Sequence, residues 1–266
     1  AQVFTLQTSD GLEIKYNGSP LVVKEELNLH LVKPAKETVE LLQFGQKDTA
    51  VLAGKSAVNN IFGEQHNIKF RREASIKADS SEVELAFMAF APSYIDELTD
   101  SSIIYEVSLP IEPFLGSTYK IFHGRASRLI EAEGTIQANS GYIAGTTIRQ
   151  IALKTKNGDN LVIDCNPKGI GSRGDYPPNN IVGLWYIRCT ADSIVFSRAY
   201  SPNFFGGMSA GHLRFYEGTH EDFAIRHANA AYPYFSELLP DRQYVFGARE
   251  FGKQYVDAGV NAFSEE

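Results

Sequence analysis

The chain has 266 residues, of which 43% are hydrophobic and 21% are charged, a composition typical of a globular protein. Its formal net charge is -7 and its Lys and Arg residues are scattered, which disfavours nucleic acid and anionic membrane surfaces as partners. No apolar run approaches the roughly 18 residues of a membrane-spanning helix. We therefore expect a soluble protein with no membrane partner.

The first predicted elements form a β-hairpin. Residues 12–16 alternate between apolar and polar side chains, Asn17-Gly18 follows, and an apolar run begins at Leu21. Asn-Gly between two such runs predicts a tight hairpin turn, because both central residues of that turn need a positive φ. Residues 27–32 alternate again, with Leu27 and Leu29 on one face and His30 on the other.

Short strand-like runs then continue to about residue 218. They cover residues 68–70, 83–90, 103–109, 119–122, 142–154, 161–163, 181–189, 193–198 and 213–216. About fifteen short strands with regularly spaced turn signals exceed one twisted sheet and indicate two packed sheets. The sequence thus predicts a mainly β fold: a large two-sheet antiparallel β-sandwich of supersandwich or jelly-roll type, with a short helical C-terminal tail.

The last fifty or so residues have a different pattern, and we divide the chain into a β-sandwich domain over 1–218 and a helical or mixed tail over 219–266. Thr219 is a predicted N-cap, with Asp222 in the acidic position of a capping box. The Ala-rich residues 221–231 favour a helix. Glu217, Glu221 and Asp222 could serve as paired carboxylates of a glycosidase, but acids also favour a helix start.

The loop over residues 166–180 is rich in Gly and Pro and has no secondary-structure period. Long loops in compact domains often carry function. In the functional interpretation the loop presents Lys168, Arg173, Asp175 and Tyr176, and in the alternative Pro and Gly only stiffen a crossover. We take Arg173 as a candidate substrate-binding residue and Tyr176 as a candidate catalytic residue.

Aromatic and arginine residues are dense after this loop. Sugars have flat C–H faces that stack on aromatic rings, and their hydroxyls need planar polar partners. The remaining candidates for substrate binding are therefore Trp185, Arg188, Arg198, Tyr200 and Arg214. Trp185 and Tyr186 cannot share one face of a strand, and a core position is the alternative for Trp185.

A polysaccharide lyase needs a Tyr or His base and a cation beside the uronate. His123 and His212 join Tyr176 as candidate catalytic residues of such a reaction. The histidines lack zinc-ligand spacing, so we predict no metal and no cofactor, while calcium stays open because carbonyl ligands leave no sequence trace.

The N-terminus and the cysteines bear on the cellular compartment. The chain begins Ala1-Gln2 without Met, which we interpret as a mature N-terminus after signal cleavage, with a trimmed chain as the alternative. We therefore expect a secreted or periplasmic protein. Cys165 and Cys189 lie in apolar, strand-like runs, which favours free buried thiols, and a disulfide stays open if the two strands are neighbours.

The strand succession up to Tyr216, followed by the tail over 219–266, resembles the N-terminal β-sandwich modules of secreted polysaccharide-degrading enzymes. It is a resemblance of organisation without a diagnostic motif. It implies a carbohydrate-associated module with polysaccharide or oligosaccharide as partner and a further domain C-terminal to this chain. A self-contained polysaccharide lyase or glycoside hydrolase, and a structural or protein-interaction module, are the alternatives.

Overall fold

The structure is a computed structural model, in which strands dominate. It describes residues 2–7, 12–33, 36–41, 46–50, 55–65, 68–90, 102–125, 128–144, 148–165, 185–200, 208–222, 244–245 and 262–263. The strands of these residues are β1 (Phe4–Gln7), β2 (Glu13–Tyr16), β3 (Ser19–Val22), β4 (Lys24–Lys33), β5 (Lys36–Leu41), β6 (Gln46–Ala50), β7 (Lys55–Gln65), β8 (Ile68–Lys77), β9 (Glu82–Phe90), β10 (Ser102–Pro110), β11 (Thr118–Arg125), β12 (Arg128–Thr135), β13 (Gly141–Ala144), β14 (Ile148–Lys154), β15 (Asn160–Asp164), β16 (Trp185–Cys189), β17 (Ser193–Tyr200), β18 (Met208–Glu217), β19 (Tyr244–Val245) and β20 (Ala262–Phe263). The predicted mainly β fold class is confirmed.

Two sheets form the body of the fold. Within the described residues, the larger has the strand order β12-β11-β14-β15-β18-β9-β8-β7-β6, and the smaller has the order β13-β16-β17-β10-β4-β5. One buried apolar cluster contains Leu85 and Phe215 of the larger sheet together with Val107 and Phe196 of the smaller. Two antiparallel sheets that share one core form the β-sandwich that the sequence predicts.

The predicted Asn17-Gly18 hairpin is confirmed. These two residues have φ values of 48° and 81° and join β2 to β3. Strand β1 pairs with β2, and the Phe4 ring stacks on Tyr16 with centroids 5.2 Å apart. This small sheet adds its apolar side chains to the common core.

A buried ion pair joins the two main sheets. Arg72 on β8 of the larger sheet is fully buried, and its Nε lies 2.8 Å from Oε2 of Glu25 on β4 of the smaller sheet. The Tyr105 hydroxyl on β10 donates to the same carboxylate oxygen. The Tyr105 ring stacks on Phe87 with centroids 4.8 Å apart. A buried charge is costly without such a partner, so the contact with Glu25 helps to stabilise a charged Arg72 in the core.

The two cysteines are free and buried, as the sequence favours. Cys189 ends β16 of the smaller sheet, whereas Cys165 directly follows β15 of the larger. Burial raises the pKa of both thiols. At Cys165 the neighbouring Asp164 adds to that rise in pKa and Arg198 opposes it.

The predicted capping box at the start of the tail is confirmed. The Thr219 amide donates to Asp222 Oδ2 at 2.9 Å, and the Asp222 amide donates to Thr219 Oγ1 at 3.1 Å. Residues 220–222 are helical, and β19 pairs with β20 in parallel. The helix predicted over 221–231 lies mostly outside the described residues, and the boundary at 218 stays a prediction. In the described part of the chain, no helix is long and apolar enough to cross a membrane.

Candidate functional site

Two of the predicted binding residues meet in the core. Trp185 and Arg198 lie opposite each other on β16 and β17, with exposed fractions of 2% and 8%. Cζ of Arg198 is 6.0 Å from the indole centroid, and the Tyr105 ring meets the indole edge-on with centroids 6.3 Å apart. A guanidinium over an indole is stabilised by the negative face of the ring. Trp185 therefore occupies the core position that we raised as its alternative.

Arg188 lies on the opposite, outer side of the smaller sheet. Its neighbours Ile187 and Cys189 are buried, so strand alternation turns Arg188 outward. Its Nη1 donates to Glu106 Oε1 on β10 at 2.8 Å. This hydrogen bond, together with the negative charge of Glu106, raises the pKa of Arg188 further above its usual range.

Arg214 lies on the outer side of the larger sheet. Its Nη2 is 3.5 Å from Glu84 Oε2, and its Nε is 3.8 Å from Glu82 Oε2. Lys77 Nζ also approaches Glu82, at 2.6 Å. On the neighbouring strand β15, the buried Asp164 is the register partner of Arg214. Arg214 is thus one member of a charged row that crosses β15, β18 and β9.

For three other candidates the structure gives only the position of the backbone, and two more lie outside the described residues. His123 lies on β11 opposite Ile130, His212 lies on β18 opposite Ala86, and Tyr200 ends β17. Arg173 and Tyr176 lie outside the described residues. Their predicted roles stay predictions.

The described candidate side chains occupy three separate environments. Trp185 and Arg198 lie in the core, Arg188 on the outer side of the smaller sheet, and Arg214 on the outer side of the larger sheet. One groove therefore does not contain all four.

Sequence reasoning missed a pair of exposed tyrosines. Tyr142 on β13 is 69% exposed and Tyr186 on β16 is 37% exposed. Their rings meet edge-to-face, with centroids 6.1 Å apart and planes at 74°. We call the outer surface formed by Tyr142, Tyr186, Arg188 and Glu106 the tyrosine face. Alternation in β16 was a signal for Tyr186, but nothing local in the sequence pairs it with Tyr142.

A bulge in β13 orients Tyr142. Tyr142 pairs with Arg188, and the register then shifts so that Ala144 pairs with Ile187. Ile143 and Ala144 both pack against the core, which leaves Tyr142 on the outer side. Gly141, with φ 75°, precedes the bulge. Bulges at sheet edges commonly redirect a side chain in this way.

His220 packs on the outer side of the larger sheet. Its ring stacks on Phe122 with centroids 3.5 Å apart, and its Nδ1 donates to Gln150 Oε1 at 2.6 Å. Asp222, one of the possible glycosidase carboxylates, serves the capping box, and the hydrogen bonds from Thr219 hold its pKa below the usual range. Asp222 therefore fits the interpretation that acids favour a helix start.

A protein metal site needs several His, Cys, Asp or Glu side chains close together. Among the described residues, no group of three or more His, Cys, Asp or Glu side chains could hold a metal ion. The predicted lack of a metal and a cofactor stays a prediction, and calcium stays open.

The fold has a counterpart in a carbohydrate-active enzyme. It is similar to part of the α-N-acetylgalactosaminidase NagBb from Bifidobacterium bifidum in its GalNAc complex, with a TM-score of 0.53 and 10% identity. The match covers 91% of this chain and 41% of that chain, so this chain spans less than half of the enzyme's length. At this identity the likeness shows a shared fold and nothing about activity.

Two further similarities are weaker. The GH36 α-galactosidase AgaB from Geobacillus stearothermophilus gives a TM-score of 0.45 at 8% identity, covering 79% of this chain and 32% of that one. A putative aldose 1-epimerase from Escherichia coli K12 gives 0.41 at 8% identity, covering 78% of this chain and 92% of that one. No family model and no curated protein matches the sequence. The fold likeness therefore rests on the Bifidobacterium enzyme.

Proposed function

We propose that this chain is a carbohydrate-associated β-sandwich module of a secreted polysaccharide-degrading enzyme. It contacts a polysaccharide or oligosaccharide without carrying out the reaction itself, and a further domain follows it. The observation that carries this proposal is the fold match, in which 91% of this chain aligns with 41% of an α-N-acetylgalactosaminidase solved with GalNAc. A module of that size leaves room in such an enzyme for a separate catalytic domain.

The described substrate-binding candidates do not line one cleft, which disfavours a catalytic cleft built from them. Arg188 and Arg214 lie on the outer sides of two different sheets, and Trp185 is in the core. Each of the two arginines is also engaged by a glutamate, Arg188 by Glu106 and Arg214 by Glu84.

The proposal is tested on the isolated 266-residue chain with a panel of neutral and uronate polysaccharides. Turnover is measured as reducing ends and as unsaturated-uronate absorbance, and binding as retardation in polysaccharide-containing native gels. We expect retardation by at least one glycan and no turnover of any.

Two results would overturn the proposal. Turnover by the isolated chain, lost in Arg173→Ala or His212→Ala, would favour the self-contained enzyme instead. Neither binding nor turnover would favour the structural or protein-interaction module. A catalytically inactive mutant of a known glycosidase with its binding module intact serves as the gel control.

A further inference from the structure

Among the described residues, two of the three exposed large hydrophobic side chains lie on the tyrosine face. The large hydrophobic side chains exposed among the described residues are Val23, Tyr142 and Tyr186. Single exposed apolar residues are ordinary, whereas adjacent ones mark interaction sites. Tyr142 and Tyr186 are adjacent although 44 positions separate them in sequence, since β13 pairs with β16.

The two rings are held by the sheet rather than by a loop. Tyr186 lies between the buried residues Trp185 and Ile187, which fix the strand beneath it. Tyr142 is oriented by the bulge whose next residues, Ile143 and Ala144, pack into the core. Aromatic side chains on a rigid strand bind with little loss of conformational entropy, because only two side-chain torsions are to be fixed.

The charge of this surface indicates what kind of ligand fits it. Arg188 lies beside Tyr142 in the β13–β16 register, but its Nη1 donates to Glu106 Oε1 at 2.8 Å. Side chains of this pair are only 28% and 17% exposed. The positive charge is thus compensated within the protein. A uronate carboxylate would have to compete with Glu106, whereas a neutral sugar would not.

We propose that Tyr142 and Tyr186 form a binding surface for a neutral pyranoside chain, bordered by the Arg188–Glu106 pair. The C–H face of one sugar unit stacks on an exposed ring. The second ring, turned by 74°, meets the edge of the same unit or of its neighbour. The phenolic hydroxyls and the planar guanidinium supply donors for sugar hydroxyls. The inference rests on the proposed function and gives it a location and a ligand class.

The experiment is a calorimetric or NMR titration of the full chain with neutral and uronate oligosaccharides of equal length. The variants are Tyr142→Ala and Tyr186→Ala, and Tyr142→Phe keeps the ring. Val23→Ala is the matched control, because Val23 is 52% exposed but lies away from the tyrosine face. Its amide donates to the Ser108 carbonyl on β10, which is three strands from β13. Thermal unfolding of every variant confirms that it is folded.

We expect a neutral oligosaccharide to bind, and either alanine variant to weaken it by about five- to tenfold, the scale of one aromatic contact. Val23→Ala should change the affinity less than about twofold by the same scale. Tyr142→Phe keeps the ring but loses one hydroxyl donor, so it should weaken binding less than Tyr142→Ala does. Glu106→Gln should move the preference toward the uronate oligosaccharide, because it removes the charge that compensates Arg188.

The outcomes separate this inference from the proposed function. Glycan binding that both alanine variants retain would overturn the tyrosine face as the site and leave the module proposal standing. Preference of the unmodified chain for the uronate ligand would overturn the ligand class. No binding of any glycan by the unmodified chain would overturn both proposals.

Discussion

The buried contact between Glu25 and Arg72 gives the sharpest stability prediction. Glu25→Gln keeps the shape of the side chain and one acceptor oxygen, but it removes the negative charge beside a fully buried guanidinium. Removing one partner of a buried ion pair costs about 3–5 kcal/mol. Because the amide oxygen can still accept hydrogen bonds from Arg72 and Tyr105, we expect about 3 kcal/mol, the lower end of that range.

The adjacent residue provides the matched control. Glu26 points to the other side of β4, where it pairs with Lys24 at 2.9 Å, and these side chains are 36% and 59% exposed. Exposed pairs contribute about 0–1 kcal/mol, so Glu26→Gln should change the unfolding free energy little. Both substitutions remove the same charge from neighbouring positions on one strand. Their difference therefore isolates the effect of burial.

The assay is urea unfolding at 25 °C, followed by fluorescence and circular dichroism, with thermal unfolding alongside. For Glu25→Gln we expect a fall in midpoint temperature of about 6–12 °C, from about 2–4 °C per kcal/mol for a chain of this size. The double variant Glu25→Leu with Arg72→Met should lose less stability than Glu25→Gln, since it removes both buried charges together. Equal losses for Glu25→Gln and Glu26→Gln would refute the reasoning.

Two further predictions concern the cap and the thiols. Thr219→Ala should destabilise the chain by about 1 kcal/mol in urea unfolding at pH 7, because it removes the hydroxyl that accepts a hydrogen bond from the Asp222 amide. Asp222→Asn should also destabilise the chain at pH 7. Because the pKa of Asp222 is lowered in the folded state, the contribution of its carboxylate is present above about pH 4 and is lost as the pH falls through the folded pKa. The Asp222→Asn variant and the unmodified chain should therefore converge in stability near pH 2, and a constant difference would contradict this. Burial raises the pKa of the Cys165 and Cys189 thiols, so both should react with an aromatic disulfide reagent at pH 8 only as the protein opens. In guanidinium both should react at once. Fast labelling of the native chain would contradict their burial.

Local sequence patterns predicted the parts of this fold that depend on neighbouring residues. Asn17-Gly18 indicates its hairpin because the turn needs two positive φ values, and Thr219 with Asp222 indicates a helix start because the two groups satisfy each other's amides. The alternation over β16 predicted that Trp185 and Tyr186 face opposite sides. Each of these signals spans only a few residues.

Contacts between distant strands left no such signal. Glu25 and Arg72 are 47 positions apart, and Arg188 meets Glu106 across 82 positions. Periodicity shows which side chains share a face of their own strand, but it carries no information on which strands become neighbours. For this reason the candidate substrate-binding arginines could not be assigned to faces of the sandwich, and the tyrosine face could not be found.

The most direct test of the central claim is amide chemical-shift mapping of the labelled chain during titration with a neutral oligosaccharide. Contact of a glycan with the module predicts saturable shift changes centred on β13 and β16, around Tyr142 and Tyr186, with no product formed in the tube. Absence of any saturable change with every neutral glycan of the panel, or conversion of the glycan by the chain, would contradict it.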